Sequence, residues 1–278
     1  MDWLAVEFMN ADFGVRSAEL KTASPSENNS QKFQPWSMKN IHRLIVTSAT
    51  YRQSSSLITR NSSLITTSDS DNRLLSRGPR FRIEAEMVRD AMLSMSGLLS
   101  NKIGGVSVYP PQPEAIWSNI YIPEKWKTSE GEDRYRRSLY TFMKRTAPYP
   151  MYTTFDATTR ETCTVRRVRT NTPLQALTML NDEGSFEFAR GLARRILSES
   201  SSKDAKTKAI YGFRLCRTRF PNEVELTRLV KYYEEQSNYF ASHSEAVEKI
   251  THAKDAEFAA WTMVANVLLN MDGTITKD

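Results

Sequence analysis

Residues 134–181 read RYRRSLYTFMKRTAPYPMYTTFDATTRETCTVRRVRTNTPLQALTMLN, and the folding of the chain turns on how this stretch is read. Between Arg134 and Arg169 it holds nine cations against only Asp156 and Glu161, a balance of +7 in a chain whose total is +6. The remainder is therefore close to neutral. Tyr140, Phe142, Tyr149, Tyr152 and Phe155 are interleaved with the arginines. A planar guanidinium serves equally as an anion-reading group and as a buried hydrogen-bond donor, so the stretch is either a binding surface or an internal scaffold. Residues 138–144 (SLYTFMK) suit a short strand or a helical turn, and residues 164–170 (TVRRVRT), with valines three apart, are as ambiguous. The firm signal comes at Thr172, a capping threonine followed by Pro173 at the first helical position, which opens a helix over 173–180.

Two kinds of site follow from these residues. Arg167 and Arg169 precede that helix start, where free backbone N–H groups favour an anion. With Arg137, Arg160 and Asn171 they make up the candidate anion- or partner-binding set. Asp156 and Glu161 are the candidate catalytic carboxylates, because a carboxylate pair is what general acid and base chemistry requires. The competing and favoured role is structural, as counter-ions that let adjacent arginines sit partly buried. Cys163 stands among cations that would depress its pKa if it were exposed, although a lone cysteine is more commonly a small buried hydrophobe. Cys216 is the only other cysteine, so neither a disulfide framework nor a metal clip is expected.

Upstream of the stretch, Trp3, Leu4 and Phe8 at helical spacing mark residues 2–9 as the remains of a longer amphipathic helix. Residues 12–35, rich in Ser, Asn and Lys, read as a flexible surface insertion. Ser37 caps a helix over 38–49 with Met38, Ile41, Leu44, Ile45 and Ser48 on one face. His42 lies just off that face and reads as a half-buried structural histidine before it reads as a ligand or base. Residues 54–70 are a Ser/Thr-rich loop. Residues 83–99 form the clearest early helix, with Met87, Val88, Ala91, Met92, Met95 and Leu98 toward the core and Gly97 at its end. Residues 102–133 carry Pro110, Pro111, Pro113, Gly104 and Gly105 with Trp117, Tyr121 and Trp126, and are expected to be one long irregular segment. Its aromatics either form a glycan platform or anchor the loop to the core, and the anchor is favoured.

Downstream, residues 173–278 read as a helical C-terminal part. Residues 183–197 and 205–216 each place their apolar side chains on one face. Asn222 and Glu225 have the spacing of a capping box, opening a helix through Leu226, Leu229, Val230 and Tyr233. Residues 256–269 are the last core helix, with Gly273 expected to stop it.

The strings RRSLYTF, KRT, FDA, RETC, RTNTPLQAL and LND carry a resemblance. So do DWLAVEF at 2–8, IHRLIVTSATYRQSS at 41–55, NRLLSRGPRFRIEAEMVRDAMLSMSGLLS at 72–100, IGG at 103–105 and VLLNMDGTITKD at 267–278. Together they resemble a bacterial domain of unknown function known mainly from planctomycetes, the family numbered fifteen fifty-three. The resemblance transfers no activity. It implies large exported proteins in which this domain follows another domain of unknown function and often a cytochrome c-like domain. It also implies a periplasmic or cell-envelope location, with one family domain over 1–278 that is N-terminally incomplete. Haem c is expected only in upstream domains of full-length relatives, and this chain, without CxxCH, is expected to hold no cofactor and no metal.

Composition agrees with a globular domain: 40% hydrophobic, 25% charged, and no apolar run long enough for a membrane span or a signal peptide. HExxH, GxSxG, Walker and dinucleotide motifs do not occur. The expected fold is mostly α, an irregular helical domain with a long loop-rich, arginine-rich centre and at most a few short strands. The expected function is a non-catalytic binding or assembly module that contacts an anionic glycan or a partner domain. The alternative is a glycan-directed enzyme using Asp156 or Glu161 with arginine support. Nucleic acid is not an expected partner, since solvated or internally paired arginines explain the basic cluster as well.

Overall fold

A computed structural model of the chain describes residues 2–9, 36–55, 69–113, 116, 126–202 and 204–277. The expected insertion at 12–35, residues 56–68 of the Ser/Thr-rich loop, and Trp117 and Tyr121 lie outside the described residues. The fold is mostly α, and it divides into two compact units, Met1–Arg80 with Asp278, and Phe81–Lys277.

The first unit contains α1 (Asp2–Met9) and α2 (Met38–Thr47). The Trp36 N–H donates to the Phe8 carbonyl at 2.8 Å, and the two rings meet edge to face, which joins the end of α1 to the start of α2. Ser37 caps α2 as expected, accepting from the Asn40 N–H. α2 has no buried residue, and His42 is exposed on it, where the sequence placed it half-buried. Helices of eight and ten residues offer too little apolar surface to enclose it within this pair.

The second unit begins with β1 (Phe81–Arg82), which pairs antiparallel with β2 (Thr276–Lys277), so the last residues of the chain lie beside its entrance. Next comes α3 (Ala85–Ser96), ended by Gly97 in the left-handed region at φ 73°. Its buried face is Ala85, Val88, Arg89, Met92, Leu93 and Ser96. Met87, expected in the core, is exposed, and a cation takes the inward position. A short helix, α4 (Pro150–Thr154), and α5 (Pro173–Asn181) follow in the centre of the chain.

The bundle proper is α6 (Glu183–Glu199), α7 (Ala205–Arg217), α8 (Glu223–Ser242), α9 (Ser244–Thr251) and α10 (Ala256–Leu269). Four of these five starts are capped by a side chain: Asp182, Asp204, Asn222 and Asp255 accept from first-turn N–H groups of α6, α7, α8 and α10, whereas α9, preceded by His243, has no such cap. α10 is apolar nearly all round, and a helix of that kind belongs at the centre of a bundle. It packs against α6 and α8, and Trp261, fully buried, stacks on Tyr233 of α8 at 4.4 Å. Gly212 lets α7 approach, since a Cβ there would come within 2.7 Å of Ile196 on α6. Each fully buried Leu, Ile or Phe of this bundle stabilises it by roughly 1.5–3 kcal/mol. Gly273 is not the stop of α10. The helix ends at Leu269 with Asn270 as its cap, and Gly273 lies in the short α11 (Asp272–Ile275), where its missing Cβ makes room for Arg217.

Candidate functional site

Among its described residues, the centre of the second unit, 97–172, contains little regular structure, so its backbone polar groups need side-chain partners. Arginines supply them. Arg89 reaches off the buried face of α3 and donates to the carbonyls of Arg136 (2.7 Å) and Arg134 (3.0 Å). Arg136, only 1% exposed, donates in turn to the carbonyls of Val106 (3.1 Å), Lys102 (3.4 Å) and Gly104, and its guanidinium lies 3.8 Å from the Tyr140 ring centroid. Gly104 and Gly105, at φ 78° and 90°, turn the chain around that guanidinium in a conformation that suits glycine. Two parallel bridges, Ser100 with Arg136 and Val108 with Thr141, align the two loop strands.

Residues 138–144 therefore resolve as a 3₁₀ turn, Ser138–Tyr140, followed by an extended bridge. Asp90 of α3 fixes the turn by accepting from the Ser138 N–H (2.6 Å) and Arg137 (3.2 Å). Trp126 is an anchor, donating to the Pro110 carbonyl at 2.8 Å and stacking on buried Tyr149. Burial pushes the Tyr149 hydroxyl above the range in which it would ionise.

Asp156 closes a second clasp. It stands at φ 61°, which aspartate tolerates better than most residues, and accepts from Arg82 (2.5 Å), the Thr170 N–H (2.8 Å) and the Thr170 hydroxyl (2.9 and 3.0 Å). Arg82 also donates to the carbonyls of Thr170 (2.8 Å) and Phe155 (3.2 Å), while Gln175 of α5 donates to the Thr154 carbonyl and the Thr170 hydroxyl. Burial pushes the Asp156 carboxyl up, but the Thr170 donors and the Arg82 charge outweigh it and hold it below the ordinary carboxylate range. Its acceptor positions are thus taken by backbone-fixing partners.

The other candidate residues separate. Arg167 forks onto Glu86 at 2.6 and 3.2 Å and approaches Glu84 at 3.3 Å, and Arg169 lies 3.6 Å from Glu84 and over the Phe81 ring. Burial raises the Glu86 pKa, yet the Arg167 hydrogen bonds and charge leave it lowered overall. Both arginines thus face carboxylates of the α3 entrance. Arg137 holds Asp90. Residues 159–166 are exposed throughout: Arg160, at φ 62°, and Arg166 make no ion pair among the described residues, and the Glu161 side chain makes none. Asn171 is exposed as well. Asp156 and Glu161 therefore sit in contrasting settings, one clasped and one solvated. Cys163 is exposed and free, while Cys216 is buried, which pushes its thiol up to about 12.

The same loop and the helix after it also expose aliphatic side chains. Val165 is fully exposed, Val168 is 73% exposed, and Leu174 and Leu177 project from the outer face of α5. Arg82 and Arg89 were missed by the sequence reading, and the available signal for Arg89 was a cation set within the apolar stripe of α3. Among the described residues no group of His, Cys, Asp and Glu is placed to hold a metal ion.

The architecture and this centre define a mostly α-helical domain whose loops are organised by arginine. The chain belongs to the family described as Protein of unknown function (DUF1553), whose model matches residues 30–233. No curated protein and no solved structure matches it.

Proposed function

We propose that this domain is a non-catalytic binding and assembly module whose contact face is the exposed loop 159–168 with the outer face of α5. One observation carries the reading. Val165, Val168, Leu174 and Leu177 are exposed, as are Arg160 and Arg166, which make no ion pair among the described residues, whereas Arg82, Arg134, Arg136 and Arg167 are bound internally. Exposed aliphatic side chains grouped with cations fit a protein surface that offers apolar groups and carboxylates. A sulfated or uronic glycan answers the cations but leaves the four aliphatic side chains uncovered. The partner we propose is the upstream domain of an exported, cytochrome c-associated multidomain protein in the periplasm or cell envelope. That context rests on the resemblance of the family strings. No helix among the described residues is long and apolar enough to cross a membrane.

The test is interferometry of the chain against the purified upstream domain of a full-length relative and, separately, against heparin. Binding to the domain that falls by roughly tenfold or more in Val165→Asp with Val168→Asp, at an unchanged melting temperature, supports the reading. Heparin binding that survives those changes but is lost in Arg160→Ala with Arg166→Ala points to an anionic glycan instead. Binding to neither overturns the proposal.

A further inference from the structure

A recess of about 570 Å³, lined by Leu197, Ser200, Ser201, Ser202, Lys208 and Glu257, opens where the end of α6 and the turn after it face α7 and the first turn of α10. Its volume lies within the ~300–1,000 Å³ typical of small-molecule sites. Lys208 sets its chemistry. The side chain is 7% exposed and donates one hydrogen bond to Glu257 Oε1 at 2.7 Å, while its Nζ lies 6.0 Å from the Trp261 ring centroid. An ammonium has three donors. The other two of Lys208 meet no acceptor among the described residues, and unfilled donors on a buried cation are costly to keep.

Around this ammonium the wall offers both halves of a hydrogen-bonding pattern. Glu257 Oε2 accepts from no described donor, and the Ser201 hydroxyl has no described partner. The Ser200 hydroxyl donates to the Ser202 carbonyl, and the Ser202 hydroxyl accepts from the Asp204 N–H, which holds the serine turn in place. Leu197 supplies one apolar patch. Lys208 and Glu257 neutralise one another, so an anion or a cation would enter with its own charge unmatched. A hydroxyl both accepts and donates, which suits an ammonium and a carboxylate 2.7 Å apart.

We propose that this recess binds a neutral saccharide of pyranose size, with one hydroxyl accepting from Lys208 and donating to Glu257, and with C–H groups against Leu197. The site is separate from the loop 159–168 and does not depend on the partner reading.

Saturation-transfer NMR and calorimetry on the whole chain test it, with methyl glucopyranoside, methyl mannopyranoside, methyl galactopyranoside, glucuronate and inorganic phosphate as probes. Binding of a neutral glycoside, weakened roughly tenfold or more in Lys208→Met, is the expected result. Because Lys208→Met removes a buried group, Ser201→Tyr serves as the second variant. Ser201 is exposed at the rim, so this change obstructs entry, and it is expected to abolish binding with no change in melting temperature. The proposal is overturned if no neutral glycoside binds, if binding is indifferent to Ser201→Tyr, or if phosphate or glucuronate binds more tightly than every neutral glycoside.

Discussion

Within the second unit, the helical bundle and the loop-rich centre are held by opposite means. In the bundle, Trp261, Phe213, Leu192, Ile196 and Leu268 are fully buried against one another, and the helices satisfy their own backbone groups. In the centre, backbone carbonyls of Lys102, Gly104, Val106, Arg134, Arg136, Phe155 and Thr170 are met by the guanidinium groups of Arg82, Arg89 and Arg136. Apolar burial is non-directional and summed over many contacts, whereas a guanidinium fork is directional and local. Damage to the first should therefore spread through the unit, and damage to the second should stay near the severed bonds.

The largest effect tests the bundle. Trp261→Ala should cost about 3–5 kcal/mol, because it removes a buried ring stacked on Tyr233 and leaves a cavity at the centre of α10. Amide exchange should accelerate across α6, α8 and α10 together. A loss confined to α10 would mean that damage to the bundle stays as local as damage to the loops.

Next in size is Arg136→Met, expected to cost about 2 kcal/mol by leaving the Val106, Lys102 and Gly104 carbonyls to water. Here exchange should rise at Val108 and its neighbours while the bundle amides keep their protection. Arg136→Lys should rescue little, since an ammonium cannot serve three separated carbonyls as the planar fork does. Full rescue by lysine would mean that the charge, and not the geometry, holds the loops.

The same contrast explains what the sequence made legible. The bundle helices, their apolar faces and the Asn222/Glu225 capping box could be read because 3.6-residue periodicity and cap chemistry are local signals, and α10 begins and ends where its pattern does. The centre was readable as arginine-rich and irregular, but its pairings were not. Arg82 bonds the carbonyl of Thr170 and the carboxylate of Asp156, and Arg89 bonds the carbonyls of Arg134 and Arg136, all between 45 and 88 residues downstream. No spacing rule links residues that meet only through the tertiary fold. Gly273 misled for a related reason: its role is to make room for Arg217, a contact invisible to a helix-stop reading.

A smaller effect is expected at the second clasp. Asp156→Asn keeps a residue that tolerates φ 61° while removing the charge that faces Arg82, and should cost about 1 kcal/mol. Asp156 has a folded pKa below its ordinary value, so its contribution is present above the ordinary carboxylate range and fades as pH falls through the folded value. The gap between the wild-type and Asp156→Asn melting temperatures should accordingly close on acidification. A gap that stays constant to low pH would assign the stabilisation to shape alone.

The smallest effect isolates charge at a helix start, where bundle and centre use the same device with different residues. α5 has glutamine at its third position, with the Thr172 N–H donating to Gln175, and α8 has glutamate, with the Asn222 N–H donating to Glu225 at 2.8 Å. Only the glutamate adds a fork with Arg219, at 2.6 and 2.8 Å. The Arg219 hydrogen bonds, set against a smaller opposing push from burial, lower the Glu225 carboxyl to about 2 from 4.5. Its stabilisation is therefore complete above pH 4.5 and is lost as pH falls toward 2. Arg219 is half exposed, so solvent screening limits the effect to below about 1 kcal/mol. Glu225→Gln preserves the capping box, as the Gln175 arrangement of α5 illustrates, and removes only the charge. The variant should melt slightly below the wild type at pH 7, the difference should shrink in high salt, and the two curves should merge near pH 2. A difference indifferent to both salt and pH would place the contribution in the hydrogen bond to the cap, and would make the two helix starts equivalent after all.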